Sequence, residues 1–207
     1  VTIRELKRTL RTEVIERIRR MDAASRQAEE QTLPGRFVSL PGFADARTVA
    51  LYVSAFPEEF PTRPLIRQSL QLGKRVACPR VDRRAHALDL FEIRDPIVDL
   101  IPGHRGIPEP ASHCQILDPA QVDWILVPGL AFDERGYRLG RGAGHYDRLL
   151  PRLRPEVPRW ALVLEPQWVA EVPVEPHDQP LDGVADHQRM IVFPRRPQST
   201  ETFTTSA

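Results

Sequence analysis

Apolar residues recur at spacings of three and four from the start of the chain. Ile3, Leu6, Leu10, Val14, Ile18 and Met21 make one stripe and predict an amphipathic helix over 3–21. Asp22 is placed to cap a second helix that runs to about Thr32, before Pro34. The period then shortens. The stretch 48–54 (TVALYVS) is rich in Val, Leu and Tyr and predicts a strand. A helical pattern over 62–72 stops at Gly73, a C-cap residue. Further strands are predicted over 75–79, 88–93, 123–127, 159–164 and 190–193. Strands alternating with helices imply a mostly parallel sheet covered on both faces, an α/β fold. We expect one domain over 1–194 and a polar, Ser/Thr-rich, disordered tail over 195–207. Ligands on such sheets sit beyond the strand carboxyl ends, where 54–59 and 128–147 would fall.

The most distinctive pattern is 126–150, LVPGLAFDERGYRLGRGAGHYDRLL. Gly129, Gly136, Gly140, Gly142 and Gly144, five of the chain's 11 glycines, fall within 16 residues between a strand and a helix start. A loop without Cβ atoms exposes backbone N–H groups to anions, and a following helix adds its dipole. Arg138, Arg141 and Arg148 add fixed positive charge, so the expected ligand is a polyphosphate. The alternative is a tight strand–helix connection carrying surface arginines. The spacing matches neither GxxxxGK[ST] nor GxGxxG, and no HExxH, CxxC or GxSxG occurs.

Composition narrows the class. Net charge is +1, the basic residues are dispersed, and no aromatic platform accompanies them, which argues against nucleic acid. No apolar run reaches membrane-spanning length, and no secretory leader pattern is present, so a cytoplasmic protein is expected. Cys78 and Cys114 make no disulfide framework, and Cys78 reads as a small buried hydrophobe. The 21 prolines punctuate the ends of elements. Of 29 basic residues only Lys7 and Lys74 are lysine, which hints at a need for a compact ammonium there; chance is the alternative. Lys7 and Arg11 lie one helical turn apart, a pattern that also describes a solvated basic face.

The glycine-rich segment resembles the signature of the 5-formyltetrahydrofolate cyclo-ligase (5,10-methenyltetrahydrofolate synthetase) family. Other matches follow in order: Lys7-x-x-x-Arg11, Glu59-Phe-Pro-Thr62, Gly73-Lys74 with Val76 and Pro79, Gly106-Ile-Pro-Glu-Pro110, and Pro176-His-Asp-Gln-Pro-Leu-Asp182. Ordered matches over 7–182 are far more specific than any one of them. The resemblance implies a single three-layer α/β/α domain with a mostly parallel central sheet. It also implies an ATP- and Mg²⁺-dependent reaction in which 5-formyltetrahydrofolate becomes 5,10-methenyltetrahydrofolate with release of ADP and phosphate. A monomer acting on small molecules is expected.

Roles follow from the resemblance, residue by residue. Lys7 and Arg11 would grip ATP phosphates. Arg138, Leu139, Gly140, Arg141, Gly142, Ala143, Gly144, His145 and Tyr146 would form the nucleotide loop. Lys7 and Arg141 would be catalytic, with Arg141 nearest the transferring group. Arg141 to His145 would also face the formyl-pterin end, with Glu59 bonded to the pterin and Ser54 lining its pocket. Asp147 and Asp178 would be the candidate Mg²⁺ ligands, because oxygen donors suit this hard cation. Glu58 is an alternative pterin-binding carboxylate, and Asp182 a reserve metal ligand. Asp147 could instead charge the start of its helix, and Asp178 and Asp182 could be turn residues. His177 reads as structural. Two positions depart from the family pattern, Ala143 for Gly or Lys and His145 for Tyr. They put turnover and substrate preference in question. They also motivate the alternative of a non-catalytic folate- or nucleotide-binding protein. A sugar-phosphate isomerase or CoA-transferase-like enzyme is a weaker alternative that rests on fold alone.

Overall fold

The computed structural model describes residues 1–103 and 106–194. The expected tail, 195–207, lies outside the described residues. Two helices open the chain, α1 (Ile3–Arg20) and α2 (Ala23–Val38). Thr2 and Glu5 form a capping box on α1, and Asp22 caps α2 through the Ser25 N–H. There follow β1 (Thr48–Leu51), α3 (Arg63–Gln71), β2 (Arg75–Asp82), β3 (Ala87–Ile93), β4 (Leu100–Pro102), β5 (Pro108–Pro110), β6 (Ile116–Leu117), β7 (Trp124–Leu126), β8 (Ala131–Phe132), β9 (Arg138–Leu139), α4 (His145–Leu149), β10 (Arg159–Leu162), β11 (Gly183–Ala185) and β12 (Met190–Val192).

Eight strands form the central sheet in the order β12-β11-β10-β7-β1-β2-β3-β6. The five central strands, β11, β10, β7, β1 and β2, run parallel, and antiparallel strands close both edges. From β1 the chain proceeds outward to β2 and β3 on one side. It then returns to β7 on the other side and proceeds to β10 and β11. The switch point therefore lies between β1 and β7, where their carboxyl ends open a crevice.

Alternation along the strands builds two cores. Val49, Leu51, Trp124, Leu126, Trp160 and Leu162 face one side and pack with Val14, Ile18, Leu33 and Phe37 of α1 and α2 and with Leu65 and Ile66 of α3. Ala50, Ile125, Val127, Ala161 and Val163 face the other side and pack with Leu149, Leu150, Leu153 and Val157. This is the period-two pattern of a sheet covered on both faces. Cys78 is fully buried, as its apolar surroundings predict, and burial pushes its thiol up.

Several expectations need correction. The second helix does not stop before Pro34 but continues to Val38, because Leu33 and Phe37, both wholly buried, anchor its last turns. That packing outweighs the hydrogen bond proline removes. The strand expected over 48–54 leaves the sheet after Leu51, where its neighbour β7 ends at Leu126. The strand begun at Arg75 runs to Asp82 because it pairs along its full length with β3. The short hairpins β4–β5 and β8–β9 and the strands β6 and β11 were not expected.

Candidate active site

The glycine-rich loop is presented by the β8–β9 hairpin, and a buried carboxylate fixes that hairpin. Asp133, fully buried, accepts N–H bonds from Arg135 and Tyr137 on Oδ1 and from Val172 on Oδ2. The Arg135 guanidinium closes on Oδ2 at 2.8 Å. Beyond β9 the loop uses glycine where backbone geometry demands it. Gly142 has φ +106° and Gly144 φ +64°, a region in which side-chain-bearing residues are strained. The helix after the loop has only five residues and passes into a 3₁₀ turn over Leu150–Arg152, so its dipole is short.

Helix α1 brings Lys7 and Arg11 to this loop. Lys7 is not on a solvated face: it is 7% exposed and donates to Asp178 Oδ2 at 2.6 Å and Glu175 Oε2 at 2.8 Å. Burial pulls its pKa down, but bonds to the two carboxylates outweigh burial and hold it above the ordinary value. Arg11 donates from Nε to the Gly140 carbonyl at 2.8 Å, and its terminal nitrogens lie beside Gly142. Its pKa is lowered by burial, offset by Asp178 and Glu175. Arg138 is buried and donates to Asp147 Oδ1 at 2.8 Å, while its Nε has no partner among the described residues. An unpaired buried guanidinium N–H costs free energy until an acceptor arrives.

The loop after β1 supplies the opposite wall. Arg141 lies 3.6 Å from the Phe56 ring centroid, donates to Glu58 Oε2 at 3.1 Å and approaches Glu59 Oε1 at 3.4 Å. Glu58 is buried and also accepts from Arg19 at 2.9 Å. Burial raises its pKa, but Arg141 and Arg19 prevail and hold it below the carboxylate range. Glu59 lines the cavity and accepts the Ala55 and Phe56 N–H groups on Oε2. Ser54 is not among the lining residues; its hydroxyl accepts the Thr62 N–H at 3.1 Å and braces the loop, while Tyr52, Val53 and Ala55 line the cavity at that strand end.

These groups enclose one cavity of about 280 Å³, lined by Lys7, Arg11, Glu59, the continuous stretch 138–147, Glu175, His177 and Asp178. Its apolar lining comes from Pro79, Val81, Leu88, Ile107 and Pro108. Asp147 and Asp178 both face it, whereas Asp182 is not a lining residue and instead accepts the Arg159 N–H. Asp147 Oδ1 accepts from Arg138 and the Gln179 N–H, and Asp178 Oδ2 from Lys7 and the Glu175 N–H, which leaves Asp147 Oδ2 and Asp178 Oδ1, the latter 3.9 Å from His177 Nε2, to face a cation. Two carboxylate oxygens would suit a hard cation such as Mg²⁺. The one trio of donors converging within 4.8 Å among the described residues, Asp99, His113 and Cys114, lies elsewhere. There Asp99 fastens a turn, accepting the Arg94 and Asp95 N–H groups and bonding His113.

Three features escaped sequence reading. Asp133 sits in the glycine segment but signals nothing by type alone. Glu175 precedes the C-terminal match and reaches Lys7 only through the fold. Glu109 belongs to the Gly106–Pro110 match, and only its place on the cavity wall gives it meaning. At the departing position His145, Arg148 approaches Nδ1 at 3.2 Å; burial first, then Arg148, lowers the imidazole pKa.

Parallel strands, a switch-point crevice, clustered cations and a glycine loop define an α/β enzyme fold with a cavity suited to a small anionic ligand. The chain belongs to the 5-formyltetrahydrofolate cyclo-ligase family, whose model matches residues 3–186. The 5-formyltetrahydrofolate cyclo-ligase of Mycolicibacterium smegmatis is 34% identical over 189 residues, 90% of this chain and 96% of its own. That of Mus musculus is 28% identical over 193 residues, 89% of this chain and 95% of its own. The solved 5,10-methenyltetrahydrofolate synthetase of Aquifex aeolicus superposes with a TM-score of 0.78 at 29% identity, covering 97% of this chain and 100% of its own. The Mycoplasma pneumoniae synthetase, at 21% identity and a TM-score of 0.70 over 88% of this chain and 99% of its own, shares the fold.

Proposed function

We propose that the cavity converts 5-formyltetrahydrofolate to 5,10-methenyltetrahydrofolate at the expense of ATP, with Mg²⁺. The observation that carries this reading is the pairing of two chemical ends in one cavity. Lys7, Arg11, Arg138 and Arg141 line it with a glycine loop, and apolar Pro79, Val81, Leu88, Ile107 and Pro108 line it too. The first end suits a triphosphate and the second a flat heteroaromatic ring.

A formamide carbonyl is a weak electrophile and oxide a poor leaving group. In the proposed sequence the formyl oxygen attacks the γ-phosphorus and the bond to ADP breaks. N10 then attacks the formyl carbon, loses its proton, and phosphate departs with the formyl oxygen as the ring closes. Phosphoryl transfer asks the protein mainly for position and charge. Arg141, aimed by Glu58 and Phe56, stands where the loop meets the folate side. Lys7 and Arg11 sit at the phosphate side, and the free Nε of Arg138 supplies one more donor. Asp147 and Asp178 would hold the Mg²⁺, which screens the phosphate charges. Glu59 stands on the folate side. The enzyme works in this reading on soluble small molecules, in the cytoplasm and as a monomer.

Mixing the protein with 5-formyltetrahydrofolate and Mg²⁺ should raise the methenyl absorbance only when ATP is present. Lys7→Ala and Arg141→Ala should each lower kcat by about 10²–10³, the loss typical of removing one charge-stabilising donor. Folate binding without turnover would favour the non-catalytic alternative, which Ala143 and His145 motivate.

A further inference from the structure

Five carboxylates line the cavity: Glu59, Glu109, Asp147, Glu175 and Asp178. Four are engaged by protein donors. Glu59 holds the Ala55 and Phe56 N–H groups and meets Arg141, Asp147 holds Arg138, and Glu175 and Asp178 hold Lys7. Glu109 has no such partner among the described residues. It lies on β5, between the apolar Pro108 and Pro110, and its side chain is half-buried.

Its position is built. The side chain lies back against Gly103, where a Cβ would overlap the carboxylate and stand 2.7 Å from Cγ. Glycine at 103 therefore leaves the space that Glu109 occupies. Lys7, Arg11, Arg138 and Arg141 bond Asp178 and Glu175, Gly140, Asp147 and Glu58 in this arrangement, and none of the four bonds Glu109. A half-buried carboxylate keeps water on its exposed oxygens, and a ring that displaces this water against the apolar lining must bring N–H donors in its place. The wall itself, with Ile107 and Pro108 beside it, suits a flat ring that brings them.

We propose that Glu109 is a specificity-determining residue that accepts the 2-amino and N3–H edge of the pterin. This rests on the folate reading above. A reduced pterin carries N–H donors at N3, N8 and the 2-amino group, more than one carboxylate can accept. Glu59, with its oxygens already holding the loop and Arg141, takes at most part of them. The two parallel oxygens of Glu109 match the two parallel N–H groups of the edge.

The experiment measures dissociation constants for 5-formyltetrahydrofolate and for its 2-desamino analogue, with the wild type and with Glu109→Gln. ATP binding is followed separately. The wild type should bind the desamino analogue at least about tenfold more weakly, the span of a charge-assisted hydrogen bond. Glu109→Gln should bind the parent folate about tenfold more weakly, bind the two folates nearly alike, and keep wild-type ATP affinity. If Glu109→Gln proves unstable, Glu109→Asp, which keeps the charge but shortens the reach, should show the same loss of discrimination in smaller degree. A variant that discriminates as the wild type does would overturn the role of Glu109 alone. A wild type that binds neither folate would overturn the folate reading, and this assignment with it.

Discussion

Glu58 and Glu59 are adjacent in sequence and divide the work between them. Glu58 points away from the cavity, its side chain only 4% exposed, and clamps Arg141 against Arg19. It is a positioning residue. Glu58→Gln should lower kcat about tenfold, roughly 1.4 kcal/mol of barrier, while KM for ATP moves little. A fall in ATP affinity with unchanged kcat would show that Glu58 acts on binding instead. His145 offers a test in pH. Burial and Arg148 lower its pKa from the ordinary 6.5, so it is neutral at pH 7 and protonates only below that value. Stability linked to the neutral imidazole is full above pH 6.5 and falls as acid is added towards the lower folded value. His145→Tyr should therefore match the wild-type pH profiles of stability and rate above pH 6.5 and diverge below it; divergence between pH 7 and 8 would contradict the geometry. The chemistry of both residues was only half legible in sequence. A motif assigns a carboxylate to the loop after β1, but only packing decides which of two neighbours turns inward.

The elements show the same division. Short strands with consecutive apolar residues, such as β1 (Thr-Val-Ala-Leu), β7 (Trp-Ile-Leu) and β10 (Arg-Trp-Ala-Leu), announce themselves because both of their faces are buried. The strand β11, Gly-Val-Ala, is too small and short to do so, yet Trp160 fills the space left by Gly183. The β4–β5 hairpin is hidden for another reason: Pro102, Pro108 and Pro110 look like breakers, although an edge ladder tolerates them. Helix α2 carries the clearest conflict between local preference and packing. Pro34 and Gly35 are poor helix residues, and a Cβ at Gly35 would meet nothing within 4 Å. Pro34→Ala restores a helical N–H, at some cost in the freedom of the unfolded chain, and Gly35→Ala adds helix preference. Together they should stabilise the protein by about 1–3 kcal/mol and raise Tm by about 2–10 °C. A thermal melt checks this, with turnover expected to be unchanged because neither residue lines the cavity. A fall in Tm would mean that proline's bend is needed to bring Phe37 into the core.

At the scale of the whole molecule, the site joins segments far apart in the chain. Lys7 of α1 bonds Asp178 across 171 positions, Arg11 bonds Gly140 across 129, and Arg141 bonds Glu58 across 83. No pattern in the sequence states these pairings; they follow from the strand order, which places the carboxyl ends of β1 and β7 together. Each contact pairs opposite charges or holds the loop, so in the proposed function ligand phosphates and a cation would enter a network that already spans the fold. Binding should then stabilise the protein as a unit. At a hundredfold excess over its dissociation constant, MgATP should contribute about 2.7 kcal/mol, or about 5–10 °C in Tm. With the metal chelated, the four cations still attract the triphosphate, but Asp147, Asp178 and Glu175 face it without a screening ion. The shift should shrink by half or more, and Asp147→Asn with Asp178→Asn should lift that repulsion and narrow the gap between ATP and MgATP. If chelation left the wild-type shift intact, those two carboxylates would be partners of Arg138 and Lys7 alone, and the metal would have to be sought elsewhere.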